Sequence, residues 1–166
     1  MSGNNRASGA GGSNEREIII TRLFDAPPEV VFDAWTHPEQ LARWWGPEGF
    51  TNPVCELDAR INGTWRIVMR APDGAEYPCR GVYREIVASK RLVFTNIAVD
   101  SEGTPVLDGL TTVTFEEEDG KTKLTLRTRA VALVPGAVEK LAGMDIGWSM
   151  SLDRLAAELV LPRKNS

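Results

Sequence analysis

Val138-Glu-Lys-Leu141-Ala-Gly143-Met144-Asp-Ile-Gly147-Trp148-Ser-Met-Ser-Leu152-Asp-Arg154-Leu155-Ala-Ala-Glu-Leu159-Val160 follows a long run of strand-like sequence and decides the fold. Leu141, Met144, Trp148, Leu152, Leu155 and Leu159 recur at steps of 3, 4, 4, 3 and 4, a single apolar stripe of helical period. Glu139, Lys140, Asp153, Arg154 and Glu158 mostly fall away from that stripe, on the side given to solvent. The spacing predicts one helix from just after Val134-Pro135-Gly136 to about Val160, ended by Pro162. At 1.5 Å per residue such a helix is about 37 Å long. Gly143 and Gly147 each cost it roughly 1 kcal/mol relative to Ala, and are tolerated best where another group must approach the backbone.

Upstream, Ile18-Ile19-Ile20, Thr21, Leu23 and Phe24 read as a strand that Asp25-Ala-Pro27-Pro28 stops. Val30, Val31, Ala34 and Trp35 then recur at helical spacing until His37, whose position before Pro38 disfavours the α region. Glu39 to Trp45 forms a second short helix, closed by Gly46-Pro47. From Thr51 the period changes to two, with strands expected near 53–59, 64–71, 76–87, 90–98, 109–117 and 121–131. Asn62-Gly63, Asp73-Gly74 and Asp119-Gly120 supply hairpin turns, and 101–108 reads as a longer loop. The expected architecture is α+β: a curved antiparallel seven-stranded sheet wrapped around the long C-terminal helix, with two short helices after the first strand. A curved sheet and a straight helix need not match, so a cavity between them is expected.

The 166 residues suit one domain, expected over 15–161, with a Gly-, Asn- and Ser-rich tail over 1–14 and a short tail over 162–166. A net charge of −4 argues against nucleic acid or an anionic membrane surface as the main partner. Cys55, Cys79 and the single His37 make neither a disulfide framework nor a metal cluster, so no cofactor or metal is expected. Residues 1–14 lack the apolar stretch of a signal peptide, and no segment has the ~18 apolar residues of a membrane span. A cytoplasmic setting follows.

Thr21-Arg22-Leu-Phe-Asp-Ala-Pro27, Val31-Phe32-Asp-Ala-Trp35-Thr36 and above all Trp44-Trp45-Gly46-Pro47 resemble motifs of the START-like SRPBCC superfamily, and within it the branch named after the C-terminal domain of the activator of the heat-shock-protein-90 ATPase. Gly63-x-Trp65, Met69, Asp73-Gly74, Gly81-Val-Tyr83-Arg-Glu85-Ile86, Arg91-Leu-Val-Phe94-Thr95, Phe115, Thr122-x-Leu-Thr125 and Gly147-Trp148-x-x-x-Leu152 continue the likeness over about 16–161. The resemblance implies a helix-grip fold with an apolar cavity. It implies no single activity, since such proteins include lipid carriers, polyketide cyclases and chaperone-associated domains.

Trp65, Met69, Phe94, Met144 and Trp148 are the expected cavity lining, from strand parity and from the middle of the helical stripe. Trp44 and Trp45 are adjacent and cannot face one way; one is expected inside and the other at the cavity mouth. Tyr83 and Glu85 share strand parity and, if both turned inward, would place a phenol and a carboxylate in one apolar pocket for cyclase- or hydrolase-like chemistry. Arg66, Arg70, Arg80 and Arg84 are expected on the outer face, paired with acids such as Glu76. Cys55 and Cys79, one strand apart, stand roughly 10 Å from each other as small buried hydrophobes. No catalytic residue is assigned. The reading is a monomer or homodimer that binds a small apolar or amphipathic molecule through Trp45, Trp65, Met69, Tyr83, Glu85, Phe94, Met144 and Trp148. The alternatives are a cyclase-like enzyme or a chaperone-associated interaction domain.

Overall fold

Prolines set the first corners of the computed structural model, which describes residues 14–160. Apart from Asn14, the tail expected over 1–14 lies outside the described residues, as does the one over 162–166. Strand β1 (Glu15–Phe24) runs into helix α1 (Pro28–Thr36), which carries Pro28 and Glu29 in its first turn. His37, held extended before Pro38, ends α1 and starts α2 (Pro38–Trp44). The meander follows as β2 (Thr51–Leu57), β3 (Thr64–Arg70), β4 (Glu76–Val87), β5 (Arg91–Val99), β6 (Pro105–Glu118) and β7 (Lys121–Ala132). All seven strands pair antiparallel in the order β1-β7-β6-β5-β4-β3-β2.

Three local expectations change. Residues 105–108 pair with β5 and belong to β6, so the loop is only the tight turn closed by Asp100 N–H to Thr104 O at 2.9 Å. Residues 58–63 make a wider connection than a two-residue hairpin, with Asn62 at φ 70°. The C-terminal helix is also not continuous. A 3-10 turn (Pro135–Ala137) leads into α3 (Val138–Ala142), which stops at Gly143, and α4 (Met144–Val160) then starts afresh.

The break at Gly143 has a partner on a distant strand. Arg16 of β1 donates to Leu141 O at 2.7 Å and to Ala142 O at 2.8 Å, and its guanidinium lies 3.3 Å from Asp145 in the first turn of α4. One cation thus satisfies carbonyls at the C-terminus of α3 and pairs with the acid at the N-terminus of α4, which is where helix dipoles favour each charge.

The inner face of the sheet carries two separate apolar clusters. The larger joins α1, α2 and α4 to the sheet through Val31, Trp35, Leu41, Trp44, Ile67, Leu152 and Leu155. The smaller gathers Val106, Ala130, Ala132, Ala137 and Leu141 beneath α3. The outer face pairs as expected where Arg70 meets Glu76 at 2.7 Å, and Arg66 faces Glu56 at 3.7 Å.

Arg154 of α4 ties the helix to the α2–β2 loop. Its Nη1 donates to Trp45 O, Gly46 O and Pro47 O at 3.1, 3.0 and 2.9 Å, and its Nη2 donates to Arg43 O and Phe50 O, both at 3.1 Å. Sequence periodicity had put this residue among the solvent-facing charges; the planar fork of five donors suits it to converging carbonyls instead. Arg154→Lys replaces that fork by a point charge with three donors, so most of the carbonyls lose their partner. The variant is expected to unfold about 2 kcal/mol more easily in urea, at an unchanged denaturant slope.

Candidate functional site

The two apolar clusters do not meet, and between them lies a cavity of about 230 Å³. Trp45, Gly46 and Pro47 of the clamped loop form one wall, and Met144, Gly147 and Trp148 of α4 form the roof. The floor is the inner face of β3 to β7, from Trp65 and Met69 across Cys79 and Asn96 to Ala130. Among the expected lining residues, Trp45, Trp65, Met69, Met144 and Trp148 therefore come together here.

Phe94 and Tyr83 lie next door. With Trp35, Trp45 and Trp65 they border a void of about 10 Å³, the size of one water molecule. The buried Trp35 Nε1–H, which has no partner among the described residues, belongs to a side chain bordering the same void. Glu85 goes elsewhere. Arg84 is the extra residue of a bulge in β4, because Tyr83 pairs with Phe94 while Glu85 pairs with the very next residue back, Val93. The bulge reverses parity, so Ile86 packs on the core while Glu85 accepts from Arg91 Nε at 3.1 Å, half exposed. The phenol and the carboxylate that sequence parity aligned are not brought together.

Aromatic contacts fix the wall. Trp148 stacks on Trp35 (6.1 Å between centroids, 19° between planes) and meets Trp45 edge-on at 5.3 Å. Trp45 in turn meets Trp65 at 5.7 Å. Trp44 and Trp45 are both buried and part ways: Trp44 packs inside and donates to Ala34 O at 3.0 Å, while Trp45 lines the cavity beside Gly46 and Pro47. Trp65 reaches across β4 to donate to Thr95 O at 3.0 Å, and it can do so only because position 81 is glycine. A Cβ there would sit 2.4 Å from the indole nitrogen and 1.8 Å from Thr95 O. Gly147 works in the opposite sense to the close approach expected: a Cβ on it would meet nothing within 4 Å, and the missing side chain leaves room in the cavity.

The polar groups of the lining are few. Ser151 Oγ accepts the Gly46 N–H and donates to Gly147 O, both at 3.1 Å. Asn96, unremarked in the sequence although it interrupts an apolar strand opposite Gly109, accepts at Oδ1 from Thr111 Oγ1 at 2.8 Å. Among the described residues Cys79 is the one titratable side chain of the lining, and burial pushes its thiol up to about 12 although a hydrogen bond from Trp45 acts the other way. Cys55, which like Cys79 pairs across to Ile67, is pushed up to about 11 by burial and then by Glu39 and Glu56. Among the described residues no group of three or more His, Cys, Asp or Glu could hold a metal ion. No helix of the described residues is long and apolar enough to cross a membrane.

An antiparallel seven-stranded sheet that holds a C-terminal helix over an apolar cavity defines the helix-grip, START-like class of α+β domains. Within it the chain belongs to the family of Activator of Hsp90 ATPase homolog 1-like proteins, whose model matches residues 25–160. Solved structures agree. A protein from Chromobacterium violaceum is 30% identical, with a TM-score of 0.74 over 89% of this chain and 98% of its own. A protein from Arthrobacter aurescens is 26% identical, with a TM-score of 0.75 over 88% of this chain and 87% of its own. The AHSA1 protein of Silicibacter pomeroyi is 26% identical, with a TM-score of 0.70 over 87% and 97%. No curated protein matches the chain.

The thiols make a pH prediction. Both have folded values above their ordinary 9.0, so the stability their burial confers is complete below pH 9 and is lost as pH rises towards 11–12. Urea unfolding between pH 8 and 11 is expected to show a steeper loss for the native chain than for the Cys55→Ala/Cys79→Ala variant. Equal slopes would contradict it.

Proposed function

We propose that the protein is a carrier or sensor that holds a small apolar or amphipathic molecule in the cavity under α4. The observation that supports this is the 230 Å³ space itself, lined at Gly147 by a residue with open space where a side chain would stand. An apolar cavity of about 150 Å³ already takes up benzene, so this one suits a molecule of one or two rings. Glycine inside a helix costs roughly 1 kcal/mol relative to alanine, a cost that is offset if the space it leaves is used.

Cyclase-like chemistry has less support. It needs a proton donor and acceptor beside the ligand, whereas Glu85 is tied to Arg91 on the surface and Cys79 keeps its proton at neutral pH. Tyr83, whose hydroxyl burial holds well above its ordinary value, is a poor acid or base there.

Two substitutions at one position test the carrier reading. Gly147→Ala is expected to stabilise the fold by about 0.5–1 kcal/mol in urea. Gly147→Phe is expected to keep the native circular dichroism while abolishing saturable binding of naphthalene, followed through the indole N–H signals of Trp45, Trp65 and Trp148 by NMR. Absence of naphthalene binding to the unsubstituted protein would sink the reading.

A further inference from the structure

Three polar side chains form a row on the inner face that ends at the cavity floor. Thr128 of β7 and Thr111 of β6 are fully buried and share a hydrogen bond of 2.8 Å between their hydroxyls. Thr111 also donates to Asn96 Oδ1 at 2.8 Å, so the row runs Thr128, Thr111, Asn96 and ends in the cavity lining. Burying two hydroxyls where valine would fit, beside a half-buried amide, costs free energy unless the groups are satisfied and used. The two threonines satisfy each other; the far end of the asparagine is what they present.

The orientation of that end is fixed from two sides. With Oδ1 taken by the Thr111 hydroxyl, the amide turns Nδ2 the other way. Nδ2 then lies over Gly109, its cross-strand partner and itself part of the cavity wall, where a Cβ would come within 2.9 Å of it. Glycine at position 109 is the condition for the amide to lie there. Of the other polar groups of the lining, Ser151 bonds Gly46 and Gly147, Trp65 bonds Thr95, and Trp45 bonds the Cys79 sulfur.

Among the described residues no Lys, Arg, Asp or Glu lines the cavity, so an ionised headgroup would enter without a counter-charge from them. A ligand with no polar atom would leave the amide donor unpaired. Resting on the carrier reading, we propose that Asn96 Nδ2 is the recognition donor of the cavity. The ligand class it selects is an uncharged, one- or two-ring apolar molecule bearing a single acceptor oxygen of carbonyl type.

A matched pair of probes tests this: naphthalene, and 2-acetonaphthone, which adds one carbonyl to the same rings. Nitrogen–proton NMR titration of the whole chain follows the tryptophan indole signals for occupancy and the Asn96 side-chain amide for the contact. The ketone is expected to bind about three- to tenfold more tightly than naphthalene, the range of one neutral hydrogen bond, and to move the Asn96 amide protons downfield as naphthalene does not. In Asn96→Leu the preference is expected to vanish while naphthalene still binds. Asn96→Asp keeps the size and the Oδ1 acceptor but replaces the donor, and is expected to disfavour the ketone specifically, which guards against a leucine variant that folds poorly. If naphthalene binds but the ketone shows no preference, or the preference survives both substitutions, the assignment of Asn96 is overturned and the carrier reading stands. If neither probe binds the unsubstituted protein, the carrier reading fails and this inference with it.

Discussion

A single guanidinium converging on five backbone carbonyls holds the site together. The end of α2 and the loop after it, 43–50, point their carbonyls into a crowded corner, and a segment packed against other elements must satisfy such groups or lose stability. Arg154 supplies the donors from α4, and its partly desolvated position lowers its affinity for its proton below the ordinary value, with Glu48 and Glu158 acting against that fall. Because Trp45 sits on that loop and Trp148 on that helix, the clamp also sets the distance between two walls of the cavity. Arg16 does the corresponding work at the other end, where it bridges α3 and α4. Two arginines on opposite sides of the grip thus determine how closely the helix approaches the sheet.

Much of the architecture is written in periods that a reader of the sequence can count. Alternation in Thr64–Arg70 placed Trp65, Ile67 and Met69 on the inner face, and proline and glycine pairs marked most of the corners. The failures share a cause: contacts between residues far apart in the chain. The helical stripe runs without a stumble through Gly143, so that glycine read as a weak point in one helix, and the break appears only with Arg16, more than a hundred residues away, which stabilises it. Arg154 occupies a position whose spacing reads as solvent face, and only the folded loop turns it into a clamp. Tyr83 and Glu85 share parity until the bulge at Arg84 separates them, and a bulge leaves no mark in period-two counting.

The cavity illustrates the same limit. Its aromatic walls were legible as Trp45, Trp65, Met69, Met144 and Trp148, because large apolar side chains announce burial. Its emptiness was not, since it arises from groups that are missing. Gly147 withholds a side chain from the roof and Gly109 from the floor, and the two core clusters each close on themselves instead of on one another. Asn96 escaped attention for a related reason: one amide in an apolar strand gains meaning only beside Thr111 and Thr128 on neighbouring strands.

The aromatic wall has a spectroscopic consequence. All five tryptophans of the chain belong to one contiguous set, linked from Trp44 to Trp35 at 4.7 Å, on to Trp148 at 6.1 Å, then to Trp45 at 5.3 Å and Trp65 at 5.7 Å. At such separations excitation migrates among the indoles, and their transitions couple into a single near-ultraviolet dichroic signature. The intrinsic emission of this protein is therefore a local instrument, reading one wall of one cavity. The cluster under α3, built from aliphatic side chains alone, is dark to it.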